Sequence, residues 1–128
     1  MHAREALGGS MFASDTRPWG WWNELLAEPG YKVKRLVLHP GKRFSLQRHT
    51  QRSEYWLVVA GRGKATLDGA IHRLGVGDTL FVPVNGVHRL QCVGKQDLVV
   101  IEVQLGVCRE DDIERFEDDF DRVKVREA

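Results

Sequence analysis

Gly41-Lys42-Arg43-Phe44-Ser45-Leu46-Gln47-Arg48-His49-Thr50-Gln51-Arg52-Ser53-Glu54 is the stretch that decides how this chain folds. Gln47 and His49 stand two apart, and residues two apart on a β-strand face the same side. A hairpin turn over residues 51–53 brings Glu54 back beside them on the next strand. His88 arrives from further along the chain by tertiary folding. Imidazole, carboxylate and carboxamide groups together are the donor set of a borderline-to-hard divalent metal. A single histidine in a β core is more often structural than a ligand, but four donor side chains converging on one cavity favour a metal.

Glycines frame both ligand stretches. The first reads Gly41-x5-Gln47-x-His49-x4-Glu54-x6-Gly61, the second Gly77-x5-Pro83-x-Asn85-x2-His88-x3-Cys92. These resemble the two motifs of the cupin superfamily. The first matches in every spacing, with Gln47 where many cupins carry a histidine. The second departs at Asn85, where Gly is usual, and at Cys92, where Asn is usual. Asn tolerates positive φ better than most residues, and Gly86 follows it directly. The resemblance implies a small antiparallel, jelly-roll-like β-barrel with the metal on Gln47, His49, Glu54 and His88.

The rest of the chain agrees with an all-β fold. Its 128 residues suit one domain, expected over residues 16–128 behind a flexible tail at 1–15. Strands are expected at residues 31–38, 43–49, 54–60, 64–67, 70–74, 79–82, 87–92 and 98–105, separated by turn residues. Asp68-Gly69 is a strong hairpin signal. Residues 31–38 alternate basic with apolar, which suggests one wet face. Glu110, Asp111 and Asp112 open a segment in which Ile113, Phe116 and Phe120 fall at helical spacing, predicting a short C-terminal helix or turns.

Composition excludes several classes. Nineteen basic and eighteen acidic residues create no field favouring nucleic acid or an acidic membrane. No run approaches the ~20 apolar residues of a membrane helix. Two cysteines, Cys92 and Cys108, make no disulfide framework, and no secretory signal is evident, so a cytoplasmic location is expected. Trp19, Trp21 and Trp22 read as anchoring mass for an N-terminal strand or as part of an interface.

A connected set of flanking residues narrows the resemblance. Arg17-Pro18-Trp19-Gly20, Tyr31-Lys32-Val33-Lys34-Arg35, Ser45-Leu46-Gln47-Arg48-His49, Arg52-Ser53-Glu54-Tyr55-Trp56, Pro83-x4-His88-Arg89-Leu90 and Glu110-Asp111-Asp112-Ile113-x-Arg115 resemble the type II mannose-6-phosphate isomerase cupin. In that family the module usually follows a mannose-1-phosphate guanylyltransferase domain; here it would stand free. The family usually carries further histidines where this chain has Thr50 and Gln51, a histidine at Tyr55, and Gly at Asp121. The resemblance implies interconversion of mannose 6-phosphate and fructose 6-phosphate, and a homodimer, since small cupins commonly pair. A non-catalytic sugar or sugar-phosphate-binding cupin is the alternative, and a metal-dependent oxygenase a third.

Aldose–ketose isomerisation needs an electrophile, a proton shuttle and a cation for the phosphate. Zinc leads for the metal, with manganese, iron, cobalt or nickel as alternatives. Because Gln47 is neutral, the site keeps more positive charge than one with a third histidine there. Arg43, Arg52 and Arg89 are candidates for the phosphate. Ser45 shares the face of Gln47 and His49, and Trp56 lies two beyond Glu54 as a cavity wall. Glu102 alternates with Gln104 on one strand face and is the candidate base.

Overall fold

The computed structural model describes residues 12–120, and all of its regular structure there is β. Eleven strands run β1 (Ser14–Arg17), β2 (Gly20–Glu28), β3 (Tyr31–Leu38), β4 (Leu46–Arg48), β5 (Arg52–Ala60), β6 (Gly63–Leu67), β7 (Ala70–Leu74), β8 (Thr79–Val82), β9 (His88–Cys92), β10 (Leu98–Gly106) and β11 (Glu114–Glu117). They form two antiparallel sheets, ordered β1-β2-β3-β10-β5-β8 and β11-β4-β9-β6-β7. The sheets enclose a common core but do not close into a continuous barrel. No helix of the described residues is long and apolar enough to cross a membrane.

Strand register explains how one sandwich holds both a core and a polar site. Val100 pairs with Leu36 and Val58, Glu102 with Lys34 and Trp56, and Gln104 with Lys32 and Glu54. All but one of these point between the sheets with little or no exposure, Lys32 being half-buried. The interior is therefore layered: aliphatic at one end, where Leu38, Leu90, Cys92 and Leu98 pack, and polar at the other. Trp56 marks the boundary. Burial of the aliphatic end drives folding, and the register carries the polar layer into place.

This layering inverts one expectation. Residues 31–38 do alternate, but the basic Lys34 points inward and is buried, while Val33 faces out. The wet side of that strand is the cavity.

The tight turns follow their residues. Asp68 (φ 47°) and Gly69 (φ 85°) take the left-handed pair required by a two-residue hairpin. Asn85, at φ 67°, confirms the tolerance expected of it.

The C-terminal segment is corrected. No helix forms at residues 110–120; a turn at Glu110–Asp111 leads into β11, which pairs with β4. Arg115 sits opposite Gln47 and Glu114 opposite Arg48. Completing the edge of the smaller sheet satisfies more backbone groups than a short exposed helix would. Phe120 still packs on the core, as the apolar spacing suggested. At the other end, residues 1–11 of the expected tail lie outside the described residues, as does Asp121. Ser14 and Asp15 are not loose, because they pair with Asn23 and Trp22 in β2.

Candidate metal centre

His49, Glu54 and His88 come together between the sheets, with one ligand atom from each lying within 4.8 Å of the others. All three side chains are buried. β5 supplies Glu54, the loop after β4 supplies His49, and the start of β9 supplies His88. Gln47 pairs in register with His88 and lines the same cavity.

Each ring is oriented from behind. His88 Nδ1 donates to the Gly86 carbonyl at 2.8 Å, and His49 Nδ1 donates to the Asp112 carbonyl at 2.6 Å. Both Nε2 atoms therefore present lone pairs to the cavity, the arrangement typical of metal-binding imidazoles. His88 Nε2 is fully buried, has no hydrogen-bond partner among the described residues, and lies 3.9 Å from Glu54 Oε1. His49 Nε2 lies 3.2 Å from Glu54 Oε2. His49 Nε2 and Glu54 Oε2 share the Arg52 guanidinium, and the lone pair of His88 Nε2 is left for a further cation to satisfy. Burial pushes both imidazoles down to about 4; for His49 the nearby Arg52 and His88 add to this. Both are neutral, as ligands must be, at neutral pH.

The loops that hold these rings are tied together. Asn85 N donates to the His49 carbonyl at 2.8 Å, linking the two motifs. The β6–β7 hairpin tip grips Val87 through its backbone and the Asp68 carboxylate, at 2.8 Å each. Asp112 matters most among residues the sequence reading passed over. Its carboxylate accepts from Thr50 N, Thr50 Oγ1 and Gln51 N, all at 2.9 Å, while its carbonyl fixes His49. Thr50 and Gln51 thus form a braced loop in place of the family's usual histidines. Asp112→Ala is expected to weaken divalent-metal affinity about 10- to 100-fold with an unchanged circular-dichroism spectrum. Competition with a chromogenic chelator measures it.

The expected substrate residues separate into two groups. Arg52 is buried rather than at the rim. It donates from Nε to Glu54 Oε2 at 3.0 Å, from Nη2 to His49 Nε2 at 3.2 Å, and from Nη1 to the Arg109 carbonyl at 2.8 Å. Ser45 donates to Gln47 Oε1 at 2.7 Å, which steadies that amide. Trp56 is a wall and a donor, its Nε1 reaching Glu54 at 3.1 Å and Glu102 at 3.2 Å. Arg43 and Arg89 do not reach this cavity. They lie on the outer side of the smaller sheet, Arg43 forked onto Asp119 at 2.8 Å and Arg89 bonded to the Phe44 carbonyl and Glu117. Arg89 follows an inward-facing residue on a regular strand, so alternation turns it out.

Other cations take their place. Arg17, Lys34 and Arg115 line the cavity with Arg52. Lys34 pairs with Glu110 and lies 3.7 Å from the centre of the Trp22 ring. Arg17 and Arg115 stand in the flanking segments that resemble the family but carried no site role in the sequence, because pairing of distant strands brings them in.

Glu102 lies in the layer below Glu54. It accepts from Trp56 Nε1 and from Gln104 Nε2, the latter at 2.7 Å. Burial, then the adjacent negative charge of Glu54, push its carboxyl up to about 8. A carboxyl titrating near neutrality in a cavity is suited to moving protons.

Comparison with known proteins settles the family. Residues 8–118 match the family described as "Mannose-6-phosphate isomerase C-terminal". The chain belongs to that family. Among curated relatives, it is 43% identical over 108 residues to a mannose-1-phosphate guanylyltransferase of Escherichia coli K12, and 42% identical over 113 residues to the alginate biosynthesis protein AlgA of Pseudomonas syringae. These alignments cover 84% and 88% of this chain but 23% of each relative, so the chain spans under a quarter of their length. The fold resembles CapF, a capsular polysaccharide assembling protein of Staphylococcus aureus (TM-score 0.71, 21% identity, 83% of this chain and 34% of that one). It also resembles a cupin-2 domain from Rhodospirillum rubrum (TM-score 0.65, 16% identity, 80% and 79%). The family's fold and the buried His–Glu–His cluster agree with the cupin reading of the sequence.

Proposed function

We propose that this chain is a metal-dependent aldose–ketose isomerase acting on sugar phosphates of the mannose 6-phosphate and fructose 6-phosphate type. The observation that carries the reading is the buried, partnerless His88 Nε2 facing Glu54, whose carboxylate lines a cavity rich in cations. Membership of the family supports the substrate class.

His49, Glu54 and His88 fit a divalent metal, and Gln47 completes the set at the cavity wall. Zinc suits these nitrogen and oxygen donors, as do manganese, iron, cobalt and nickel. A divalent ion bound there supplies Lewis acidity that polarises the carbonyl and hydroxyl oxygens of the sugar. The chain's own groups do the rest. Arg17 and Arg115 draw the phosphate to the cavity and orient the sugar. Arg52 holds Glu54 in place through Oε2, and the Asp112 carbonyl holds His49 from behind. Glu102 takes the proton from C2 of the aldose and returns it to C1, while a proton passes from O2 to O1. No proton is gained or lost overall, which suits a carboxyl whose affinity for protons lies close to the working pH.

Metal-loaded protein is expected to convert mannose 6-phosphate to fructose 6-phosphate in a coupled assay and to lose turnover on chelation. A second reading, a non-catalytic sugar-phosphate-binding cupin, is motivated by Thr50 and Gln51 in place of histidines. Binding of mannose 6-phosphate without turnover under any divalent metal would replace the first reading with this one.

A further inference from the structure

Arg43 and Arg89 take no part in the metal centre, and both stand on the outer side of the smaller sheet. Register draws two rows across that side. One runs Arg73, Lys64, Gln91, Arg43: Lys64 pairs with both Arg73 and Gln91, and Gln91 bridges to Arg43. The other runs Ile71, Thr66, Arg89. No acidic residue occurs in β6, β7 or β9. Like charges directly opposite on neighbouring strands repel. Lys64 and Arg73 are so placed, and neither forms an ion pair among the described residues.

Arg89 adds a buried charge. Its side chain is 7% exposed, and its Nε donates to the Phe44 carbonyl at 3.0 Å. Burial, then the charge of Arg43, pull its guanidinium below the usual range. Its terminal nitrogens reach only Glu117, at 3.3 Å to Oε1 and 3.3 Å to the carbonyl. Charge-assisted bonds normally close to about 2.7–2.9 Å, so Glu117 is a loose occupant. Asp119 already neutralises Arg43 through a forked contact at 2.8 Å. Arg89, Lys64 and Arg73 therefore face one weakly held carboxylate.

These groups enclose a space. Arg43, Lys64, Thr66, Arg89 and Gln91 line a cavity of about 320 Å³, flanked by Leu46 and Ile71. Among the described residues, Glu117 is the one carboxylate in its wall. The volume is at the lower end of the roughly 300–1,000 Å³ of small-molecule sites. Every other polar side chain there has a donor to offer. A phosphate monoester, with a charge of about −1.5 to −2 at neutral pH and three acceptor oxygens, matches them better than a carboxylate does. Leu46 and Ile71 give its esterified part an apolar rest.

We propose that this cavity is a second binding site, for an organic phosphate monoester whose phosphate displaces Glu117 from Arg89 and is held by Arg89, Lys64 and Thr66. The site lies across the smaller sheet from the metal centre. Its test uses metal-free protein, so it fails or succeeds apart from the isomerase reading.

Metal-free, nitrogen-15-labelled protein is titrated with phenyl phosphate at fixed ionic strength and read at the backbone amides of Lys64, Thr66, Arg89 and Gln91. Saturable shifts are expected there, with inorganic phosphate bound at least about 5-fold more weakly for want of the apolar contact. Lys64→Ala should weaken phenyl phosphate about 10-fold, the loss of one charge-assisted bond. Glu117→Gln should tighten it about 3- to 10-fold by removing the internal competitor, which no purely structural role of Glu117 would do. Arg35→Ala, on the outer side of the larger sheet, should leave the affinity unchanged. Shifts confined to amides around the metal centre would overturn the proposal. So would Glu117→Gln without tightening, or equal weakening by Arg35→Ala and Lys64→Ala, which would mean a diffuse field and no site. Inorganic phosphate binding as tightly as the ester would overturn the ester assignment. Binding of heparin but not of phenyl phosphate would overturn it in favour of an acidic polymer. If Lys64→Ala fails to fold, the affinity of Glu117→Gln decides.

Discussion

His88→Ala is expected to leave the protein folded but without its divalent metal, and to lower kcat/KM by about 1,000-fold or more, the scale of Lewis-acid stabilisation worth several kcal/mol. The ring makes one hydrogen bond, to Gly86, and aims its second nitrogen into the cavity without a partner. Removing it therefore deletes a donor that serves no other described group. The surroundings are stiff enough to survive. Phe44 and Trp56 stand edge-on to the ring at 6.2 and 5.6 Å, and the aliphatic layer lies beyond them. Metal analysis of the purified variant beside wild type, with circular dichroism as the control for folding, measures the effect. Undiminished metal content would remove His88 from the ligand set.

Glu102→Gln is expected to retain metal and lose turnover about 100- to 10,000-fold, the usual contribution of a positioned proton-transfer group. The amide is isosteric, so Trp56 Nε1 keeps an oxygen partner. Unchanged turnover would end the proton-shuttle role. Stability against pH gives a second, independent readout in chelator-treated protein. Glu102 is raised from 4.5 to about 8, so the folded state holds a proton that the unfolded chain has released. Its contribution is complete below 4.5 and is lost as pH rises through 8. His49 and His88 are lowered from 6.5 to about 4, so the unfolded chain takes up protons that the folded state refuses. Their contribution is complete above 6.5 and is lost as pH falls toward 4. Between 4.5 and 6.5 two histidines outweigh one carboxyl, and stability rises with pH by about 1.4 kcal/mol per unit. Above 6.5 the carboxyl acts alone and stability falls. Denaturant titrations of wild type should show a maximum near pH 6.5, and Glu102→Gln should abolish the falling limb.

The convergence of His49, Glu54 and His88 was legible because local rules govern it. Alternation puts Gln47 and His49 on one side, and a short turn returns Glu54. Glycines and Asn85 mark the bends that deliver His88. Glu102 and Gln104 were legible as polar residues on one face of an apolar strand. Arg17, Asp112 and Arg115 stood in segments that resemble the family, but their place at the site was not legible: strand pairing brings Arg17 and Arg115 to the cavity, and Asp112 meets His49 from a loop far along the chain. The C-terminal strand escaped notice for a related reason. Acids followed by Ile113 and Phe116 satisfy a helical pattern locally, and only the open edge of β4 turns the segment into β11. Lys34 shows the reverse error. Its alternation was read correctly but assigned to the wrong side, because a polar cavity makes the inside of the sandwich the wet side at one end.

The clasp of Asp112 on His49 has a consequence for biosynthesis. His49, Glu54 and His88 all leave the ribosome before Asp112, so the imidazole of His49 stays free to rotate until the final stretch of chain has emerged and docked. On the proposed metal-dependent reading, loading of an ion would then be a late event that waits on the emergence of Asp112.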